Sequence, residues 1–292
     1  MPSVRSPRRP ELRGVISSLW VFEARLEHRL ERVLPYGGLQ ILVNLHEDRL
    51  HALDVHGRVS TTCTGAVLQG PHDRVQWVDT RDQRWIAGAV LAPGAAPALF
   101  RDAPSALVNR LVDLERLWGR GGQVLHDRLR SRANAEAVLD TFEVALVERR
   151  RAVAVDPVAR EAARALDGRR SVGAIGDMLG VSRRTLARRF EAATGLAPKR
   201  WARLRRFQRV VQRAAERAAP DWAGLALDLG YADQSHLVNE FRAFSGVSPT
   251  AYRPRAAGDP NHVIAEAPAL DRATPDPFLQ DASELAPAWE GP

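Results

Sequence analysis

Cysteine is nearly absent: Cys63 is the only one in 292 residues. A single thiol excludes an intrachain disulfide framework, and the reducing cytoplasm is the expected setting. No apolar run approaches the roughly 20 residues that a membrane-spanning helix needs. The N-terminus, M-P-S-V-R-S-P-R-R-P, is basic, and no apolar segment of signal-peptide type follows it. Residues 1–10 are therefore predicted to be a disordered arm. The motifs of covalent chemistry are also missing: there is no G-x-S-x-G, no Walker A loop and no H-E-x-x-H. Gly119-Arg120-Gly121-Gly122 breaks a helix but is too weak a signal for a phosphate loop. His46, His51 and His56 recur every five residues, an odd spacing that alternates faces on a strand, so they cannot line one strand face as metal ligands. Cys63 stands in T-T-C-T with no adjacent cation to lower its pKa, so a redox-sensing role is not expected. The expectation is no catalytic residue, no metal and no cofactor.

Charge is present in excess and unevenly. The net charge is +7, yet residues 156–255 hold 19 Lys+Arg against 10 Asp+Glu, a net of +9. Residues 256–292 hold one Arg and seven acids, a net of −6. A basic segment beside an acidic end suggests a polyanion-binding domain and a separate tail.

The basic segment contains a repeat. Gly180 matches Gly230, 50 residues on, and Phe190, Gly195 and Pro198 match Phe241, Gly246 and Pro249, 51 residues on. Such a period marks a duplicated supersecondary unit. In the first copy Ser171 can cap a helix whose inward face is Ile175, Met178 and Leu179, and Gly180 supplies the stop. Ser182 caps a second helix with Leu186 and Phe190 inward. In the second copy Asp221 and Asp233 are the caps; Leu225, Ala226 and Leu229, then Leu237, Phe241 and Phe244, face inward. A helix, a glycine turn and a helix that exposes polar residues is the sequence form of a helix-turn-helix. Between the copies, Pro198 to Arg217 reads as one amphipathic helix of about 19 residues, roughly 28 Å at 1.5 Å per residue. A spacer of that length could set two recognition helices about one duplex turn apart, roughly 34 Å.

Gly230 to Arg253, G-Y-A-D-Q-S-H-L-V-N-E-F-R-A-F-S-G-V-S-P-T-A-Y-R, with L-G-V-S-R-R-T-L-A-R-R-F and T-G-L-A-P in the first copy, resembles the DNA-binding module of AraC/XylS-type bacterial transcription regulators. The resemblance covers residues 156–255. It implies sequence-specific binding of double-stranded DNA in successive major grooves, with no covalent chemistry. It also maps Arg184, Ala187 and Arg188 onto base-contacting positions, where arginine suits bidentate bonding to guanine. The family at large often has arginine where Asn239 stands.

Residues 11–100 read as short strands between turn residues: 19–22, 39–45, 50–55, 66–68, 74–78 and 85–91. From Ala95 the period changes. Leu107, Leu111, Leu114, Leu117 and Trp118 share one helical face, Val124, Leu125 and Leu129 begin another, and Val138, Leu139, Phe142 and Leu146 make a third behind the cap Asn134. V-L-P-Y-G-G-L-Q-I-L-V-N-L, L-Q-G-P, A-P-G-A-A-P-A-L-F and D-L-E-R-L-W-G are similar to a domain of unknown function placed ahead of the AraC-type module in a branch of these regulators. That resemblance implies a sensor or assembly domain. Trp20, Phe22, Tyr36, Trp77 and Trp85 are the candidate lining of an apolar ligand pocket, against ordinary core packing for each.

The expected fold is thus an α+β N-terminal domain, an antiparallel sheet or partial barrel followed by helices, over 11–151. An all-α DNA-binding domain with two helix-turn-helix units joined by a long helix follows over 152–255, then an acidic Pro/Ala-rich tail without regular structure over 256–292. Base readers are assigned to Arg183, Arg184, Ala187 and Arg188 in the first recognition helix and Gln234, Ser235, His236 and Asn239 in the second. Phosphate contacts are assigned to Ser182, Thr185, Arg200, Arg205, Arg206 and Arg253. The expected partners are double-stranded DNA, a small-molecule effector of unassigned chemistry, RNA polymerase and a second copy held through the N-terminal domain, with no membrane. The function expected is that of a cytoplasmic transcription regulator of the activator type, not an enzyme. The competing reading is an N-terminal enzyme or metal sensor fused to the same module.

Overall fold

The computed structural model describes residues 2–265, except 82, 154, 169, 218 and 219. Ten strands come first: β1 (Ser3–Arg5), β2 (Ile16–Glu23), β3 (Leu30–Val33), β4 (Gln40–Asn44), β5 (Arg49–Leu53), β6 (Val59–Thr64), β7 (Ala66–Gln69), β8 (Gln76–Asp79), β9 (Trp85–Leu91) and β10 (Leu111–Asp113). Helices α1 (Leu114–Trp118), α2 (Arg120–Arg130) and α3 (Ala135–Arg149) complete the N-terminal part. Six more follow: α4 (Pro157–Asp167), α5 (Val172–Met178), α6 (Arg183–Thr194), α7 (Pro198–Ala215), α8 (Trp222–Asp228) and α9 (Gln234–Ser245). The described chain ends in β11 (Pro254–Ala256) and β12 (Asp259–Ala265).

The strands form two antiparallel sheets, in the orders β1-β2-β9-β4-β7-β10 and β11-β12-β3-β8-β5-β6. The first sheet is apolar on both faces, and alternation explains why. In β2, Leu19 and Val21 pack with α1–α3, whereas Trp20 and Phe22 turn toward the second sheet. In β9, Ala87, Ala89 and Leu91 take the helical side, and Ile86 and Val90 take the other. Gly88 leaves room for Trp20: a Cβ there would lie 2.2 Å from the indole.

The predicted helical stretch beginning at Leu107 is broken in the structure. Residues Pro104–Leu107 form a 3-10 turn, β10 follows, and only Leu114–Trp118 is α-helical. Pairing of Leu111–Asp113 with Val67–Gln69 outweighs the helical period. Asn134 caps α3 as expected, accepting from the N–H of Ala137.

Two segments expected to lack structure are ordered. Residues 3–5 are not a free arm: they pair with Leu19–Val21, and the Arg5 guanidinium contacts Glu143 at 2.6 Å and Asp140 at 2.7 Å. Buried Glu143 also accepts from the backbone N–H groups of Arg8 and Arg9. The segment after Arg253 does not begin a tail either. β12 adds to β3 in the N-terminal sheet, with Val263 opposite Arg32 and Ala265 opposite Leu30. The rest of the expected tail, 266–292, lies outside the described residues.

The core of the C-terminal helices also takes in Leu34, just after β3, and Val263 of β12, both buried. The helices sit on the N-terminal sheets through close approaches at glycine. Gly37, at φ +77°, faces Leu204, Leu196 and Trp201; Gly195, at φ +82°, faces Pro71 and Pro104. Gln208 donates to the Pro35 carbonyl at 2.7 Å, and Arg200 reaches Asp73 at 2.7 Å.

Candidate nucleic-acid interface

The sequence repeat is reproduced down to single hydrogen bonds. Ser182 accepts from the N–H of Thr185, and Asp233, its counterpart, accepts from the N–H of His236. Thr194 donates to the Phe190 carbonyl at 2.8 Å, and Ser245 donates to the Phe241 carbonyl at 2.6 Å. Gly195 and Gly246 end the two helices in the left-handed conformation, at φ +82° and +71°. Gly180 and Gly230 make the turns with φ of +64° and +76°. One inward assignment fails: Met178 is 43% exposed, while Ile175 is buried and Val172 and Leu179 pack beside it.

These caps fix which ends of α6 and α9 meet solvent. Arg183, Arg184 and Arg188 are exposed on α6, with Ala187 half-buried between them. Among the described residues Arg184 and Arg188 have no carboxylate partner. On α9, Gln234, Ser235, His236 and Asn239 are exposed. His236 also holds its own turn: its Nδ1 accepts from the N–H of Ala232 at 3.3 Å and its ring stands edge-on to Tyr231. By the 51-residue offset its counterpart is Thr185 and not Arg184. The counterpart of Ala187 is Val238, half-buried, which residue-type reasoning passed over.

Three of the arginines assigned to phosphate are engaged within the chain. Arg200 pairs with Asp73 and lies 4.9 Å from the Phe244 ring centre, Arg205 pairs with Asp167 at 2.9 Å, and Arg206 donates to Glu240 at 2.9 Å. Each of the three thus has a carboxylate partner within the chain, and Arg206 shares its own with Arg203. Arg253 donates to the carbonyls of Thr250 and Tyr252, with no carboxylate partner among the described residues. Ser182 and Thr185 bond each other at the start of α6.

Sequence reasoning missed the ion pairs that set the helices. Arg189 and Glu240 are counterparts of opposite sign. Arg189 of α6 makes two hydrogen bonds to Asp156, at 2.7 and 3.0 Å, and Asp156 also caps α4. Burial alone would raise the Asp156 carboxyl, but the bond from Arg189, the N–H groups of Ala159 and Val158 and the Arg189 charge together outweigh it and hold the group below its usual range. Glu240 of α9 is buried between Arg203 and Arg206 of α7. It therefore does not face outward beside Asn239, where it would have repelled a phosphate.

The second site is a cavity of about 290 Å³ between the two sheets. Trp20, Phe22 and Tyr36 line it, as expected. Trp77 and Trp85 do not, because their strand neighbours Val78 and Ile86 do, and alternation turns the indoles away. Trp77 instead stacks under Arg32, 4.4 Å from the ring centre. Among the described residues no group of three or more His, Cys, Asp or Glu could hold a metal ion.

Glu31 sits at the cavity wall, accepting from Arg255 at 3.0 Å and bonded to His262 at 2.7 Å and His28 at 2.6 Å. Burial would raise its pKa, but these partners outweigh burial and pull it down to about 2. A carboxyl depressed in the folded state stabilises above its unfolded value, about 4.3, and that stabilisation is lost as pH falls toward 2. The attachment of β12 is therefore expected to hold at pH 5 and to fail between about pH 4 and 2. Acid titration followed by proteolysis within β12 would check this, and a Glu31→Gln protein should be cleaved there already at pH 7.

Cys63 is buried, and burial, then the nearby Asp113 charge, push its thiol up to about 11. At pH 7.5 it should hold roughly a hundred-fold less thiolate than an ordinary cysteine. Native protein is expected to take up iodoacetamide far more slowly than urea-unfolded protein; equal rates by mass spectrometry would contradict the burial.

Residues 175–255 match the family described as Helix-turn-helix domain. They form an AraC-type helix-turn-helix domain. Residues 5–113 match the Domain of unknown function (DUF6597), so the AraC-type domain is preceded here by that domain. No curated protein matches the chain. Similar solved structures include ToxT from Vibrio cholerae, with 13% identity over 81% of this chain and 97% of that one and a TM-score of 0.44. The C-terminal domain of AraT, a response regulator from Geobacillus stearothermophilus, has 19% identity over 34% of this chain and 84% of that one, with a TM-score of 0.31. An unsaturated fatty acid-bound ToxT from V. cholerae strain SCE256 has 12% identity over 79% and 91%, with a TM-score of 0.42. Among the described residues no helix is long and apolar enough to cross a membrane.

Proposed function

We propose that this protein is a sequence-specific transcription regulator that reads two successive major grooves with the N-terminal ends of α6 and α9. The observation that carries the reading is the pair of matched helix-turn-helix units whose first recognition helix exposes Arg184 and Arg188 without carboxylate partners. Each can bond O6 and N7 of a guanine together. Gln234, Ser235 and Asn239 supply the second helix, where Asn and Gln suit adenine. Arg183 and Ala187 stand beside Arg184 and Arg188 as further base readers, and Arg253, Ser182 and Thr185 are phosphate contacts in this reading. No covalent step is assigned.

The remaining expectations attach to the N-terminal part. The cavity between the sheets is the place for a small-molecule effector, and the N-terminal domain is the surface for a second copy. A cytoplasmic setting and contact with RNA polymerase follow from the regulatory role.

The reading is tested by the salt dependence of DNA binding. Each neutralised phosphate contributes about −0.9 to the slope of log affinity against log salt. Two helix-turn-helix units should give a slope of about −3 or steeper on duplex DNA. A slope near zero, measured by fluorescence anisotropy between 50 and 200 mM salt, would rule the reading out.

A further inference from the structure

The helical module is tied to the N-terminal sheets at both ends, and the second tie is a wall of the cavity. After Tyr252 the chain enters β11 and β12, and Arg255, Asp259, Asn261 and His262 from this segment line the cavity. The charges in that wall are settled among themselves: Arg255 bonds both Glu31 and Asp259, and Glu31 also holds His262. With Arg255 shared by two carboxylates, no free cation is left to draw in an anion. The opposite wall is apolar, with Trp20, Phe22, Ile86 and Val90. Two lining residues carry a buried polar atom with no hydrogen-bond partner, the Tyr36 hydroxyl and Asn261 Oδ1. Burial holds the Tyr36 phenol neutral, so it can donate.

Both of these residues adjoin the helical module. Tyr36 precedes Gly37, which abuts Leu204 and Trp201 of α7. The Asn261 carbonyl accepts from the N–H of Leu34, a residue of the module's core. Tyr252, in that same core, donates to the carbonyl of Pro260, next to Asn261.

We infer that the cavity takes a small neutral molecule with an aromatic or compact apolar body and a hydroxyl that donates to Asn261 Oδ1 and accepts from the Tyr36 hydroxyl, and that the returning strand β12 carries its occupancy to the DNA-binding helices. An unpaired buried polar atom costs free energy until it is bonded, so a ligand with matching groups gains over its apolar isostere. A carboxylate would meet Glu31 and Asp259 without a free cation. The coupling half of this inference rests on the DNA-binding reading; the binding half does not.

The test uses the full chain and three probes of similar size: phenol, toluene and benzoate. By calorimetry phenol should bind one per chain, at least about tenfold more tightly than toluene or benzoate. Asn261→Leu and Tyr36→Phe should each bring phenol toward the toluene value and leave toluene binding intact, which also reports that the cavity is still formed. No saturable binding of phenol, or phenol and toluene of equal affinity, overturns the assigned chemistry. Saturating phenol should then change the affinity for a duplex at least about threefold in the natural chain and not in Asn261→Leu. Phenol binding with unchanged DNA affinity overturns the coupling, whereas DNA affinity without salt dependence in the probe-free protein would overturn the regulatory reading instead.

Discussion

Glu240→Ala is expected to destabilise the helical half of the protein by about 3 kcal/mol. Glu240 is 3% exposed and accepts from Arg203 at 2.8 Å and from Arg206 at 2.9 and 3.0 Å. Arg206 also lies 4.2 Å from the Tyr231 ring centre and donates to the Gly230 carbonyl, so it cannot simply swing into water when its carboxylate is removed. Losing one partner leaves a half-buried cation without a counter-charge, the costly way to break such a pair. The pair joins α7 to α9, so the second recognition helix should loosen first. Glu240→Gln keeps the shape and the acceptor oxygen and should cost about half as much. Urea unfolding followed by circular dichroism would check both; a loss below about 1 kcal/mol for Glu240→Ala would mean that the network contributes little.

Arg188→Ala should weaken binding to the preferred duplex by about 1–3 kcal/mol, roughly 5- to 150-fold, and relax the preference at one base pair. Arg188 is exposed on α6, two residues from inward-facing Phe190, and has no carboxylate partner among the described residues. Its counterpart Asn239 brings no charge, so Asn239→Ala should cost less. Arg205→Ala is the internal control. Its guanidinium is paired with Asp167, so the salt slope should stay unchanged, where a phosphate contact would make it shallower by about one contact. If Asn239→Ala abolishes base preference while Arg188→Ala leaves it intact, the roles of the two helices are reversed.

The helix-turn-helix units were legible because their sequence signals are local. Caps at Ser182 and Asp233, glycines at positive φ and inward Leu and Phe at helical spacing each act within a turn or two. The N-terminal sheets were partly legible. Strands with apolar runs, such as β4 and β9, were read from the sequence, and those without were missed. β3 reads L-E-R-V and buries Glu31 only because Arg255 and His262 come from more than 220 residues away. β6 reads V-S-T-T-C-T and is mostly exposed, so no apolar alternation marks it. β12 begins D-P-N-H, which reads as a loop until β3 is beside it. The cavity was half legible for a similar reason: aromatic residue type identified Trp20 and Phe22, but strand phase decides the face, and Trp77 and Trp85 are out of phase. The arginines of α7 could not be sorted by sequence, because the carboxylates they meet lie 34 to 127 residues away.

The most direct measurement is selection of preferred sequences from a randomised duplex pool by the full chain. Two helices held by α7, 18 residues long, should enrich two blocks of bases centred about 10.5 base pairs apart, one helical turn. The block under α6 should contain guanine and be sharply specified, and the block under α9 should be looser and richer in adenine. A single enriched block, two blocks at another spacing, or no enrichment would contradict reading by two recognition helices in successive major grooves.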